Sequence, residues 1–309
     1  MLLRTASTEQ VGTVNDCGDS QIAADVAADT LVFDRLRSSS PAGSSGAIAT
    51  VSSEENTAER ELGGSAYSVA YDPLDGSSVA GAGWAVGAIF GVWRGPKLVG
   101  RTGDEQAAAC YAVFGPRTTL VVARPASGGG GGEEGMEFTV DEFLLNSAGK
   151  WALSRSGVRL DDADETPPST SPSSPPPRLP RYFAPANLRA SRENKHYSQL
   201  VSRFMEAGAT LRYTGALVAD FHHILSKGNG VFLNPASSSA PPKLRYLYEV
   251  APLALIMEAA GGLAEDGEGR VLERRAAKAD SRCVVAFGSR GGVVAAREAL
   301  KQGGGALSS

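Results

Sequence analysis

The octet Tyr71 to Ser78, YDPLDGSS, restricts this chain more than any other stretch. Two carboxylates, Asp72 and Asp75, stand three residues apart. Pro73 between them fixes one backbone angle. Gly76 permits a tight turn, and Ser77 and Ser78 add backbone and hydroxyl donors. The approach, SAYSVAY, alternates small or polar with apolar residues and reads as a strand. The expected result is a strand end presenting two acids, followed by a turn rich in N–H groups. Carboxylates collect hard cations such as Mg2+, and exposed N–H groups collect phosphate oxygens. A single D-x-x-D is more often an ordinary Asp-Pro and Asp-Gly turn, but the whole octet is far more specific.

The rest of the chain has room to build on that turn. Its 309 residues suffice for one large or two modest domains with a real core. Hydrophobic content of 42% and charged content of 21% fit a soluble globular enzyme. A net charge of −4 carries no nucleic-acid footprint. The most apolar long stretch, Tyr246 to Leu263, holds Glu249 and Glu258, so it is a poor membrane span. The start, MLLRTASTEQ, has one Arg and no apolar run of signal-peptide length. Cys17, Cys110 and Cys283 are odd in number and far apart, which argues against a disulfide framework or a zinc site.

Residues 16 to 37 read as an amphipathic helix capped by Asp16 or Asp19, with Ile22, Val26, Phe33 and Leu36 on one stripe. Asp19, Asp25 and Asp29 interrupt it, and without context they make a solvated acidic face. Ala47 to Val51 is a short strand running into Glu54 and Glu55. Neighbouring acids repel unless a cation or a shared proton compensates. If both serve one site, the strand must end or bulge there, because adjacent side chains point to opposite faces. Ala85 to Trp93 reads as an apolar strand, and Lys97 to Arg101 as its hairpin partner. Asp104 to Phe114 reads as a helix stopped by Gly115-Pro116. Thr118 to Arg124, Phe138 to Leu145 and Trp151 to Leu153 read as strands of a largely antiparallel or mixed sheet.

Two insertions read as surface decoration: a glycine-rich loop at 127 to 135, and 161 to 180, which holds seven prolines and four acids. The second is taken as the linker between an N-terminal metal and phosphate domain, 1–160, and a C-terminal sugar-phosphate domain, 181–309. In the latter, strands are expected at Tyr182-Phe183, Thr210 to Tyr213, Val231 to Leu233, Leu244 to Tyr248 and Cys283 to Phe287. Helices are expected at His196 to Met205, Val218 to Leu225, Pro252 to Gly261 and Val293 to Leu300. Alternating strands and helices make this half α/β, beside an α+β first half with a mixed sheet. Glu249 is expected to end an extended run just before a helix, near the positive end of its dipole. His196, His222 and His223 match no catalytic pattern and read as structural or exposed.

DPLDGSS, with SEEN at 53–56 and KLRYLYE at 243–249, resembles the class 1 fructose-1,6-bisphosphatase family, and within it the branch acting on sedoheptulose 1,7-bisphosphate. The resemblance runs, with interruptions, from Gly18 to Ser289. It implies a layered α-β-α-β-α sugar phosphatase fold. It implies Mg2+-dependent hydrolysis of the 1-phosphate, with Mn2+ as the alternative ion. By resemblance Glu54, Asp72, Asp75, Glu249 and the Leu74 carbonyl are metal ligands, and Asp19 is an outer metal contact. Glu55 with Asp25 takes the proton from the attacking water, beside Asp75. The N–H groups of Gly76 and Ser77 grip the phosphate. Asn187, Tyr213, Lys243 and Arg245 are carried over as substrate contacts.

Arg212 matches an arginine that reaches into the neighbouring subunit's site, which implies a homo-oligomer, dimer or tetramer. Asn234 stands where fructose bisphosphatases have tyrosine and the sedoheptulose branch has asparagine. FGVW at 90–93 and RYTG at 212–215 also look like that branch. The rivals are a fructose-1,6-bisphosphatase or dual-specific enzyme, and a catalytically dead regulatory relative. An inositol monophosphatase fits less well, since that relative has threonine after Asp-Gly and lacks KLRYLYE. The plastid members carry a cysteine pair just before the double Glu, and residues 38–56 here have none. The expected compartment is therefore the cytoplasm, with the plastid as the alternative.

Overall fold

The computed structural model describes residues 10–15, 20–39, 47–126, 137–162 and 178–302. The chain opens with a small antiparallel pair, β1 (Gln10–Val14) and β2 (Ser20–Ile22), which leads into α1 (Ala23–Ser39). Then come β3 (Ile48–Ser53), β4 (Arg60–Glu61) and β5 (Tyr67–Asp75), the short helix α2 (Ser77–Ala80), and β6 (Val86–Arg94). Next are β7 (Gln106–Phe114), β8 (Thr118–Pro125), β9 (Phe138–Leu145) and β10 (Trp151–Arg155). They form an eight-stranded sheet in the order β10-β9-β8-β7-β6-β5-β3-β4. All its neighbours are antiparallel except β3 and β5.

The second half supplies β11 (Tyr182–Pro185), α3 (Lys195–Glu206), β12 (Thr210–Leu211), α4 (Leu217–Lys227) and β13 (Val231–Asn234). A π-turn over Tyr246–Val250 runs into α5 (Ala251–Ala259), followed by β14 (Leu263–Glu265), β15 (Val285–Gly288) and α6 (Arg290–Gln302). Its five-stranded sheet has the order β12-β11-β13-β15-β14.

The apolar residues stack these elements in five layers. On the outside of the first sheet, Val32, Phe33 and Leu36 of α1 pack on Val51, Val69 and Tyr71. The sheet's other face meets α4 and α5, where Ile89, Tyr111 and Val121 join Phe221, Leu253, Ile256 and Met257 in the largest core cluster. Phe232 and Phe287 carry that cluster onto the second sheet. On its far side Val231, Leu233 and Ala286 pack against Tyr197 and Phe204 of α3 and Val293 and Ala296 of α6. Each fully buried large side chain contributes about 1.5–3 kcal/mol. The order is α-β-α-β-α. β5 lies between two helical layers, so all of it but Tyr67 is buried.

Several local expectations are overturned. Asp104 to Phe114 is not a helix: apart from a single 3-10 turn at Gly103–Glu105 it is β7. Lys97 to Arg101 pairs with nothing as a strand; the hairpin partner of β6 is β7. The helix expected from residue 16 starts at Ala23, because Ser20–Ile22 is paired with β1. Leu244 to Tyr248 is not a strand, since helical geometry begins at Tyr246. β14 was not anticipated at all. The glycine-rich loop at 127 to 135 and most of 161 to 180 lie outside the described residues. Among the described residues, no helix is long and apolar enough to cross a membrane.

Candidate active site

The octet folds as its residue types demand. Pro73 has no N–H to give the ladder, and the pairing of β5 with β6 slips between Asp72 and Asp75. Asp72 Oδ1 accepts the Leu74 N–H at 2.9 Å, which turns the backbone back on itself. Gly76 follows at φ 84°, in the left-handed region. A Cβ there would meet the Ala216 Cβ at 2.5 Å, so the turn lies directly against the segment leading into α4.

That contact sets the role of Asp75. Its Oδ1 accepts the Leu217 N–H at 3.1 Å and its Oδ2 the Val218 N–H at 2.7 Å. Both are donors at the start of α4 with no partner inside the helix. The turn before α4 is held the same way: Asp220 takes the Thr214 N–H at 2.7 Å and the Gly215 N–H at 3.2 Å. The phosphate-type turn of the first half is thus bolted to a helix of the second.

β3 ends at Ser53, as two adjacent acids serving one site require, and the chain bends. Glu54 then reaches Asp72 and Glu249, with one carboxylate oxygen from each of the three within 4.8 Å of the others. Burial, compounded by Glu249, pushes Glu54 up to about 8. Burial and the charge of Glu54 hold Asp72 well above the ordinary carboxylate range. Burial pushes Glu249 up to about 7, against the pull of Arg245. Asp75 is also raised to about 7, chiefly by burial. Crowded, buried carboxylates of one sign are a structure that a cation completes. All three are hard oxygen donors, which suits a hard divalent ion.

Glu249 sits inside the π-turn rather than ahead of a helix, and its Oε2 accepts the Arg245 N–H at 2.5 Å. Arg245 points inward and is 7% exposed; its Nη1 lies 2.6 Å from Glu54 Oε1. It therefore contacts the acidic group itself. Beside that group, Asp25 Oδ2 accepts the Ile22 N–H at 2.9 Å, while Oδ1 is buried with no hydrogen-bond partner among the described residues. Burial raises Asp25 to about 6, and the nearby charge of Glu55 adds to the effect. Glu55 is raised by burial as well, and it is held by Gln21 Nε2 and by Asn15.

The remaining expected residues fall in several places. Leu74 is buried, with its side chain against Ile22 and Val86. Ser77 opens α2 directly after Gly76. Asn187 adopts φ 48°, and its Nδ2 donates to Pro235 O at 2.8 Å and Ala240 O at 3.0 Å. Tyr213 is 42% exposed, and the charges of Asp220, Arg189 and Asp75 reach its phenol. Arg212 and Lys243 are exposed. Asn234 is buried at the end of β13. Asp19 lies outside the described residues. Sequence reasoning missed Asp220, Gln21 and Asn15. Only Asp220 left a trace, an acid in the first turn of a helix directly after RYTG.

A five-layered α/β chain whose two halves share one carboxylate cluster and one N–H-rich turn is built as a phosphoric monoester hydrolase. The fructose-1,6-bisphosphatase N-terminal domain model matches residues 3–156, and the C-terminal domain model residues 177–301. The chloroplastic sedoheptulose-1,7-bisphosphatase of Triticum aestivum is 38% identical over 301 residues, 96% of this chain and 68% of that protein. The class 1 fructose-1,6-bisphosphatase of Syntrophotalea carbinolica is 34% identical, covering 97% of this chain and 84% of that one. A crystal structure from Toxoplasma gondii, assigned as a sedoheptulose-1,7 bisphosphatase, superposes with a TM-score of 0.79 at 35% identity, over 97% of this chain and 88% of that one. The chain belongs to the fructose-1,6-bisphosphatase family and is a sugar bisphosphatase, an enzyme of a metal-dependent family.

Proposed function

We propose that this chain hydrolyses the 1-phosphate of sedoheptulose 1,7-bisphosphate, giving sedoheptulose 7-phosphate and inorganic phosphate, with Mg2+ as its ion. The observation that carries the reading is the convergence of Glu54, Asp72 and Glu249 beside the Asp25–Glu55 pair. Glu54, Asp72 and Glu249 would hold the ion, with Asp75 and the Leu74 carbonyl beside them by family likeness. A bound divalent ion in such a site neutralises phosphoryl charge and acidifies water. The chain's own groups supply the rest. Amides of Gly76 and Ser77 face the phosphate oxygens. Asp25, raised to about 6 with one oxygen that has no hydrogen-bond partner among the described residues, and Glu55 accept the proton of the attacking water. The water oxygen bonds to phosphorus as the bond from phosphorus to the sugar oxygen breaks, and that oxygen leaves to be protonated.

Asn234 supports the seven-carbon sugar, because asparagine leaves more room than tyrosine. Tyr213, Lys243, Arg212 and Asn187 are the proposed contacts to the sugar and its distal phosphate. Arg212, being exposed, fits a contact made across two copies of the chain. The test is phosphate release by purified protein on both sugar bisphosphates, with Mg2+ and with EDTA. Faster turnover of the sedoheptulose ester, lost in EDTA and restored by Mg2+, is expected. Preference for fructose 1,6-bisphosphate would move the enzyme to the other branch, and activity surviving EDTA would remove the ion from the reading.

A further inference from the structure

The π-turn carrying Glu249 needs an external brace. Such turns are rare and appear mostly as single turns at functional sites. Here the Val250 N–H reaches back to Arg245 O at 3.1 Å, a five-residue step. Two tyrosines of the turn, both 0% exposed, anchor it by their hydroxyls. Tyr246 Oη accepts the Gly103 N–H at 2.8 Å and donates to Arg274 O at 2.6 Å. Tyr248 Oη lies 2.7 Å from Ser52 Oγ. Ser52 Oγ also lies 3.0 Å from Thr57 O, to which it can donate, and either hydroxyl can give the hydrogen in the Ser52–Tyr248 pair. The bond joins residues 196 positions apart. Ser52 stands two residues before Glu54, and Tyr248 directly before Glu249.

We propose that Tyr248 is a positioning residue for divalent-cation binding: its bond to Ser52 holds the Glu54 end of β3 at a set distance from Glu249. The inference rests on the reading of the three carboxylates as the ion's ligands. Like charges at this range drive the two segments apart, and the Tyr248–Ser52 bond bridges them. Arg245 bridges the same acids on their charged side; Tyr248 does so through uncharged groups.

The test measures Mn2+ binding to the substrate-free full chain by titration calorimetry, with the melting temperature recorded alongside. Tyr248→Phe deletes one oxygen and keeps the ring. It is expected to weaken Mn2+ binding about tenfold, the scale on which outer partners of metal ligands act. Ser52→Ala should weaken it similarly, and the double variant no further. Tyr197→Phe is the control, because it removes another buried hydroxyl, bonded to Ala186 O at 2.8 Å, away from the acids. It should lower the melting temperature and leave Mn2+ affinity within twofold. Wild-type protein that takes up no Mn2+ would sink the cation reading itself. Wild-type binding with Tyr248→Phe within twofold of it would overturn the brace alone. So would an equal loss in Tyr197→Phe, or a loss confined to one partner of the Tyr248–Ser52 pair.

Discussion

Asp72 and Asp75 differ by three positions and are held in different ways. Asp72 is buried against Glu54, and its charge is opposed. Asp75 is raised too, yet both its oxygens accept amide hydrogens from α4. Hydrogen bonds to a charged group are worth about 1.5–3 kcal/mol each. Without divalent ions, Asp72→Asn should therefore raise the melting temperature and Asp75→Asn lower it. Scanning calorimetry of both variants in EDTA checks this, and a shift of the same sign in both would refute it. Asp72→Asn should also cut phosphate release by about 100-fold or more, because a ligand outweighs the outer partners that already matter 10–100-fold. Both acids were legible from sequence because Pro73 and Gly76 leave the octet few conformations. Their division of labour was not, since it depends on amides at 217 and 218 that no local pattern connects to residue 75.

Among the elements, the turn and the helix that receives it act as one unit. Gly76→Ala would force a side chain into the left-handed region, costing about 1–2 kcal/mol from the backbone alone. The new Cβ would also collide with Ala216. The variant should melt several degrees lower and lose activity together with the Asp75 anchorage; an unchanged melting temperature would show that the contact yields. Element identity was readable in α3 and α4, which show a helical stripe, and at the ends of the sheets, which show turns. It failed at β7. QAAACYAVF has the alanine content of a helix, but Ala109, Tyr111 and Val113 point to one layer while Cys110 and Phe114 point to the other. Tertiary burial outweighed propensity there. KLRYLYE misled in a related way: its alternation looks extended, yet from Arg245 onward every residue is buried, so polar and apolar positions do not mark two faces.

The whole molecule carries a pH signature with two opposing parts. Glu54, Glu249, Asp75 and Asp72 have folded-state values above those of an unfolded chain. Between the two values the folded state holds more protons, so the stability of the ion-free protein falls as pH rises through about 7 to 8. His222 works the other way. Burial pushes it down to about 4, and it sits between the Tyr111 hydroxyl and Ser226. There the unfolded chain holds more protons, so between about 4 and 6.5 this one group opposes the four acids without reversing them. The melting temperature in EDTA should fall from about pH 5 to pH 8, and added Mg2+ should raise it more at pH 8 than at pH 6. A continuous rise from pH 6 to 8 in EDTA would contradict the acidic-cluster account. The five-layer order was foreseen through the family likeness of a few motifs; the order of the strands within each sheet was not, because no local pattern names a strand's neighbour.

The amides that hold Asp75 come from beyond residue 210, and the third acid of the cluster comes from beyond residue 245. A ribosome that has released only the first eight strands has thus made a turn whose key acid has no anchor and a pocket one carboxylate short. The nascent chain carries the recognisable motif long before it carries a working one, and competence waits until the final third of the polypeptide has docked.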